Sequence, residues 1–190
     1  MSGQPLALRT ESLAEWLPRL TAGEQITLTG AVYATGVAGH RRLRELLEAG
    51  KPLPIDLGKS VLCYGAPEEA RPGGLIWEPG EAAETDRSVS VLMDHGLRAV
   101  IGRGDRGEHV TAAMIRNRGV YFAALGNAAT LNGAAVKVLR PVAFEELGEG
   151  ALMRLGILEF PLIVAIDAAG GNLYRKGPER YCRQTKKEIW

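Results

Sequence analysis

The chain has 190 residues, of which 23 are lysine or arginine and 22 are aspartate or glutamate. This near-neutral charge gives no overall positive field, so nucleic acid is not an expected partner. The sequence has no apolar run of the roughly 20 residues that span a bilayer, and its start lacks the basic and apolar segments of a secretory signal. Two cysteines do not indicate a disulfide framework. We therefore expect a cytoplasmic protein that has no membrane partner.

The first third of the chain predicts two helices and a strand. Residues 12–15 have capping-box spacing, and leucines follow at helical intervals, which predicts a short first helix. Residues 25–33 alternate apolar and polar side chains, as a half-buried strand does, and we expect a loop after Gly36. Residues 40–48 carry leucines on one face and are followed by Gly50, which predicts a second helix.

The rest of the chain predicts five strands and one further helix. The strands cover residues 60–64, 74–77, 97–101, 120–125 and 160–166, and the helix covers residues 108–117. Alternating strands and helices favour a sheet with parallel segments and covering helices. The sequence thus predicts one α/β domain over residues 1–190, with a core from about 20 to 174. The basic segment 175–190 is either a solvated tail or a partner-docking arm.

The segment from Gly102 to Gly107 is a G-x-G-x-x-G motif between a predicted strand and a predicted helix. Dinucleotide-binding folds use such a motif, but the next predicted strand offers no acidic residue for a ribose hydroxyl. A carboxylate or phosphate site is the better interpretation. Glycines such as Gly102 and Gly104 let backbone N–H groups approach an anion, while Arg103 and Arg106 add positive charge. A plain glycine-rich turn with exposed arginines is the remaining alternative.

Single residues outside the glycine-rich motif are weaker indications of a functional site. Asp167 follows the strongest predicted strand, where it serves either as a site residue or in a turn or helix cap. His40, His95 and His109 have no neighbouring cysteine or carboxylate at metal-ligand spacing, so no metal site is predicted in this chain.

Six segments, in this order, resemble the beta part of class I fumarases and tartrate dehydratases. They read LTGAVYATGxxxHRRL, GKPLPIDL, IGRG, VYFAALG, FEELG and EFPLIVAID, within a similarity that covers about residues 20–174. The resemblance implies a single swivelling β/β/α domain that closes over a [4Fe-4S] cluster held by an alpha subunit. This chain is then expected to bind no cofactor itself. The implied activity is a hydro-lyase reaction at a small hydroxy-dicarboxylate of the fumarate/malate or tartrate type, and it requires the alpha subunit.

The resemblance also implies site residues. His40 matches the histidine of the family motif T-G-R-D-A-A-H-K-R, Arg87 matches the arginine of P-T-T-S-G-R-M-D, and Arg103 matches the lysine of G-K-G. Loss of water from a hydroxy acid needs a base and cations that stabilise the carboxylate. Arg87 and Thr85 are the predicted catalytic residues, with Thr85 in place of the family's threonine base. The predicted substrate-binding residues are His40, Arg87, Gly102, Arg103, Gly104 and Arg106.

The sequence departs from the family pattern in two motifs. Residues 35–40 read Thr-Gly-Val-Ala-Gly-His and lack the family's arginine and aspartate, and residues 80–87 lack its pair of threonines. A second hypothesis follows from these departures. The chain is then a noncatalytic binding or regulatory relative that uses the glycine-rich loop to hold an anion or a partner.

Overall fold

The computed structural model of the chain describes residues 4–65, 67–69, 75–77, 82–124 and 136–175. The strands in these ranges are β1 Leu6–Arg9, β2 Gln25–Thr35, β3 Val61–Tyr64, β4 Pro67–Glu69, β5 Leu75–Trp77, β6 Ala99–Gly102, β7 Val120–Ala124, β8 Val136–Ala143 and β9 Leu152–Ile166. The helices are α1 Leu13–Trp16, α2 Val37–Glu48, α3 Ala82–Asp94 and α4 Glu108–Asn117, with 3₁₀ turns at Leu17–Arg19, Leu57–Lys59 and Glu145–Gly150. The predicted α/β class is confirmed.

Seven strands form one sheet in the order β1-β2-β3-β6-β7-β9-β8, and β2 also pairs with β9. The second pairing closes β2, β3, β6, β7 and β9 into a barrel-like ring. The pairs from β1 to β7 in this sheet are parallel, whereas β9 runs antiparallel to β2, β7 and β8. Strands β3, β6 and β7 therefore end at the same side of the ring. Strands β4 and β5 form a separate two-stranded sheet.

Strands β3, β6 and β7 are apolar because both of their faces are buried. Val61 and Cys63 of β3 belong to one buried cluster, together with residues of β1, α1, β2 and β9. Leu62 and Tyr64 point to the opposite face and belong to a second cluster, with residues of α2, α3 and α4. Each strand thus joins two cores, one on the side of α1 and one under the three longer helices.

The N-terminal segment packs as part of this core. Leu8 of β1, Leu13 of α1 and Leu17 are each at most 3% exposed and lie in the first cluster. Packed residues therefore begin before residue 20. The described part of the chain contains no helix that is long and apolar enough to cross a membrane.

Several elements differ from the sequence expectations. The expected loop after Gly36 is wrong, because α2 begins at Val37, and the predicted strand 160–166 is only the second half of β9. Helix α3 and strands β1, β4 and β8 were not predicted. Residues 176–190, with most of the predicted basic tail and Cys182, lie outside the described residues.

Gly39 explains why α2 was missed in its first turn. Glycine is a poor helix former, but a Cβ at this position would lie 2.6 Å from the Gly150 carbonyl oxygen and would also meet Thr35. The Thr35 hydroxyl donates to the same carbonyl at 2.7 Å. The close approach of α2 to the segment before β9 therefore requires glycine.

We expect Gly39→Ala to lower the free energy of unfolding by about 1–3 kcal/mol, because the methyl group forces backbone apart. Urea denaturation measures this loss. Gly58→Ala is the matched control, since its Cβ would meet only Asp56 at an ordinary 3.4 Å, and we expect a change within about 0.5 kcal/mol. Equal effects of the two substitutions would contradict the close packing at Gly39.

Candidate functional site

The glycine-rich loop lies at the end of the sheet where β3, β6 and β7 terminate. It follows β6 at Gly102 and leads into α4 at Glu108, as the sequence predicted. The tight packing favours glycine at Gly102, because a Cβ there would lie 3.0 Å from the Tyr121 hydroxyl and 3.1 Å from the Tyr64 ring. Gly104 has a positive φ of 69°, which favours glycine. Ligands of open α/β sheets gather at such strand ends.

A buried ion pair fastens this loop to α3. The Arg106 guanidinium lies 3.3 Å from the Asp86 carboxylate, measured from Nη1 to Oδ1, and the two side chains are only 5% and 4% exposed. The second carboxylate oxygen accepts the Gly107 N–H at 3.1 Å. The guanidinium also donates through Nη2 to the Arg103 carbonyl. Asp86 and Arg106 therefore hold the loop at both of its ends.

Two tyrosine rings enclose the Arg106 guanidinium. Its central carbon lies 4.5 Å from the Tyr64 ring centroid and 5.3 Å from that of Tyr121, distances at which a cation is attracted to the ring face. Burial raises the pKa of both tyrosines, so both phenols stay protonated at neutral pH. The Tyr121 hydroxyl donates to the Gly104 carbonyl at 3.0 Å. The rings thus support the loop from the side of the sheet.

The turn after β9 supports the loop from another side. The Asp105 carboxylate accepts the Arg106 N–H at 2.8 Å and the Asn172 side-chain amide at 3.1 Å. Asp167, the other candidate near this turn, accepts three backbone N–H groups, which belong to Ala22, Ala169 and Gly171. Its carboxylate therefore has a turn role, which is one of the two roles that the sequence indicated.

The positive charges of the loop are not equivalent. Arg106 is buried and its charge is balanced by Asp86, so it positions the loop and does not offer a free charge to an anion. Arg103 is half-buried, and its guanidinium pairs with no carboxylate in the described part of the chain. Of the two predicted cations, Arg103 is therefore the one that is free to meet a ligand.

His40 lies behind the loop, fully buried in α2. Its Nδ1 is 3.0 Å from the Gly36 carbonyl oxygen, and its ring centroid is 5.8 Å from that of Tyr64. Burial lowers the pKa of His40 to about 4, so the ring is neutral at pH 7. A neutral ring that donates from Nδ1 presents Nε2 as an acceptor, and this atom has no hydrogen-bond partner among the described residues. His40 completes a row of side chains that contains Tyr64, Arg106 and Tyr121.

The two predicted catalytic residues flank Asp86 on α3. Thr85 is 2% exposed, whereas Arg87 lies on the exposed face of the helix. No hydrogen bond or ion pair between described residues joins either side chain to the loop. Their catalytic roles stay predictions.

The structure thus brings together His40, Gly102 and Arg106, and it adds three residues that sequence reasoning missed. These are Tyr64, Asp86 and Tyr121. The sequence contains weak signals for these three residues. The tyrosines lie in two predicted strands that neighbour the loop in the sheet, and Asp86 lies inside the altered family motif.

The described residues do not fit an iron–sulfur cluster. Cys63 is completely buried in β3, and burial raises the pKa of its thiol, whereas a cluster is held by thiolates. The described ranges also contain no group of three or more His, Cys, Asp or Glu side chains placed to hold a metal ion.

Comparison with known proteins decides the family. Residues 2–177 match the family model described as the fumarase C-terminus. The chain belongs to this family. It is 29% identical over 182 residues to the anaerobic class I fumarate hydratase of Escherichia coli K12, covering 93% of this chain and 33% of the relative. It is 31% identical over 157 residues to the mitochondrial fumarate hydratase 1 of Leishmania major, covering 80% and 28%.

A third relative is similar in size to this chain. The putative L(+)-tartrate dehydratase subunit beta of Methanocaldococcus jannaschii is 27% identical over 166 residues, which cover 83% of this chain and 85% of the relative. The chain therefore spans about a third of the fumarate hydratases and most of this beta subunit. The resemblance to class I fumarases and tartrate dehydratases is confirmed.

We expect Asp86→Ala to lower the free energy of unfolding by about 3–5 kcal/mol, because it leaves the Arg106 charge buried without a partner. Urea denaturation measures the loss. The control is Asp94→Ala, which breaks the half-exposed pair with Arg116 and should cost at most about 1 kcal/mol. If the Asp86 variant does not fold, Asp86→Asn supplies the measurement. A loss no larger than that of the control would mean that the guanidinium is solvated.

A second prediction concerns pH. The pKa of His40 is about 4 in the folded chain and about 6.5 when unfolded, so the unfolded state binds the extra proton first as pH falls. The contribution of His40 to the free energy of unfolding is therefore complete above pH 6.5. It decreases by roughly 3 kcal/mol as the pH falls towards 4. Unfolding measured at several pH values should show this slope, and His40→Gln should remove it. His95→Gln, an exposed control, should retain the slope. An unchanged slope in His40→Gln would contradict a buried neutral ring.

Proposed function

We propose that this chain is the beta subunit of a [4Fe-4S]-dependent hydro-lyase that adds or removes water at a small hydroxy-dicarboxylate. The supporting observation is its similarity to about a third of each fumarate hydratase and to 85% of a tartrate dehydratase beta subunit. The one described cysteine is a buried thiol. We therefore assign the cluster to a partner alpha subunit, which carries the remaining part of the enzyme. The expected compartment is the cytoplasm.

In this proposal the chain contributes the charge that binds the substrate carboxylate. Arg103 lies on a loop that is fixed by Asp86, Arg106 and Tyr121, so its backbone is positioned before the ligand arrives. Such preorganised charge is effective because little reorganisation is needed during the reaction. A cluster bound on the alpha subunit would supply a Lewis acid for the substrate hydroxyl.

Arg87 and Thr85 differ in how directly they are able to take part. Arg87 is exposed on α3 and is free to bind a carboxylate in two-point geometry. Thr85 is buried, so its role as a base requires that the hydroxyl become accessible in the assembled enzyme. Arg87 and Arg103 are therefore the proposed substrate contacts.

A noncatalytic binding or regulatory role is the second candidate. It is favoured by the first turn of α2, where Val37 and Ala38 stand in place of the family's charged pair and the neighbouring His40 is buried. In this role the fixed glycine-rich loop holds an anion or a partner without chemistry.

Coexpression with the alpha subunit separates the two candidates. We expect the anaerobically reconstituted complex to hydrate fumarate or dehydrate tartrate, and the isolated chain to be inactive and free of iron. A complex that contains a complete cluster and turns over neither acid would favour the noncatalytic role. A stoichiometric [4Fe-4S] centre on the isolated chain would overturn the assignment of the cluster to the partner.

Within an active complex, Arg103→Gln and Arg87→Lys should each lower kcat/KM. The first removes a charge and the second removes a planar two-point hydrogen bond, worth about 1.5–3 kcal/mol for a charged pair. The expected fall is roughly tenfold to hundredfold, at about 1.4 kcal/mol per tenfold. Steady-state kinetics measures it, with Arg118→Lys as an exposed control. Unchanged kinetics in Arg87→Lys would make Arg87 an ordinary surface residue, while a fall in Arg103→Gln alone would leave the loop as the binding site.

A further inference from the structure

A cavity of about 360 Å³ lies at the opposite end of the sheet from the glycine-rich loop. Its lining includes Val61 and Ala99, where β3 and β6 begin. Leu13 of α1 and Leu17, which follows α1, also line it. The lining also includes three cationic side chains and one carboxylate, namely Lys59, Arg98, Arg154 and Glu11. Its volume lies within the range of ligand-binding sites.

The cavity has an excess of positive charge that the described chain does not balance. Glu11 pairs with Arg9 at 3.4 Å and Lys59 pairs with Asp56 at 3.6 Å, so the unbalanced charge is that of the two arginines. The guanidinium groups of Arg98 and Arg154 have no hydrogen bond or ion pair to any described residue. Arg154 is half-buried, which makes its unpaired charge more costly than that of a fully exposed arginine.

A second observation concerns the register of the sheet around Arg154. This residue lies directly opposite Arg140 on β8 and directly opposite Tyr33 on β2. Side chains directly opposite on neighbouring strands lie close together, and like charges in such a pair are destabilising. Arg140 is also without a carboxylate partner among the described residues. The positive charges of these two facing arginines thus have no carboxylate partner among the described residues. A third arginine, Arg98, lines the same cavity.

We propose that this cavity binds a small organic anion with two negative charges. Arg154 and Arg98 bind the charged oxygens, Tyr33 in the cavity wall supplies a hydroxyl donor, and the carbon part of the ligand lies against Leu13 and Val61. Carboxylate and phosphate oxygens share the acceptor geometry that arginine recognises. The site is separate from the glycine-rich loop and does not depend on the hydro-lyase proposal.

The test uses the purified chain alone, titrated calorimetrically with succinate, with glycerol phosphate and with acetate as the singly charged comparison. We expect succinate or glycerol phosphate to bind saturably and more tightly than acetate, and the stronger of the two identifies the preferred oxyanion. Arg154→Gln and Arg98→Gln should each weaken this binding about tenfold or more, since each loses a charged hydrogen bond.

Two variants control for position. Arg118→Gln removes an exposed charge that does not line the cavity, and Arg103→Gln removes the free charge of the glycine-rich loop. Arg118→Gln should leave the affinity within about twofold, and Arg103→Gln shows whether the measured anion is bound at the loop instead. Loss of binding in Arg103→Gln together with normal binding in Arg154→Gln would place the anion at the loop and overturn the cavity proposal. Absence of saturable binding by either dianion would also overturn it.

The unliganded chain gives an independent readout. If Arg140 and Arg154 repel each other, Arg154→Gln should raise the midpoint of urea unfolding at low salt and should do so less at high salt, because salt screens the repulsion. Arg118→Gln should show no such increase. A lower midpoint in Arg154→Gln would mean that the guanidinium already has a stabilising partner. This result would contradict the proposal, which rests on an unpaired positive charge at Arg154.

Discussion

The ion pair between Arg106 and Asp86 is the interaction on which the candidate site depends. It joins the loop after β6 to α3, and its geometry is completed by tyrosines from β3 and β7. A buried charge is tolerated only when it is paired and hydrogen-bonded. The loop, the helix and the two strands therefore have to be correctly placed together. The pair positions the loop, and Arg103 is left without a carboxylate partner among the described residues.

The topology explains why one side of the sheet carries this arrangement. Because β3, β6 and β7 are parallel, their last residues meet at one end, where Tyr64 and Gly102 lie side by side. The turn after β9 also reaches the loop, where its Asn172 bonds to Asp105. The ring closed by β2 and β9 keeps these strand ends at fixed positions. The opposite end receives α1 and collects cationic residues instead, so the two ends of one sheet have different chemistry.

Local signals predicted the strand, loop and helix around the glycine motif, and α4 has the predicted bounds. They did not reveal α3, because its buried face carries Thr85, Asp86 and Ser88 and therefore lacks a simple apolar stripe. In β9, Gly156 and Pro161 are residues that disfavour strand prediction. The partner of Asp86 lies 20 residues away, and such a pairing is set by tertiary structure. Sequence patterns therefore suggested Arg106 as a ligand for an anion, whereas the structure uses its charge internally.

The position of Asp86 also links the two arginines that we propose as substrate contacts. Arg87 follows Asp86 directly on α3, and Asp86 holds the loop that carries Arg103. A dicarboxylate that is bound by both arginines has to match the separation between them. Asp86 contributes to that separation, because its carboxylate joins α3 to the loop. A substitution at Asp86 would therefore change which dicarboxylate fits, as well as the stability of the chain. Under the proposed function, selectivity among acids of different length would thus be coupled to the buried ion pair that joins α3 to the loop.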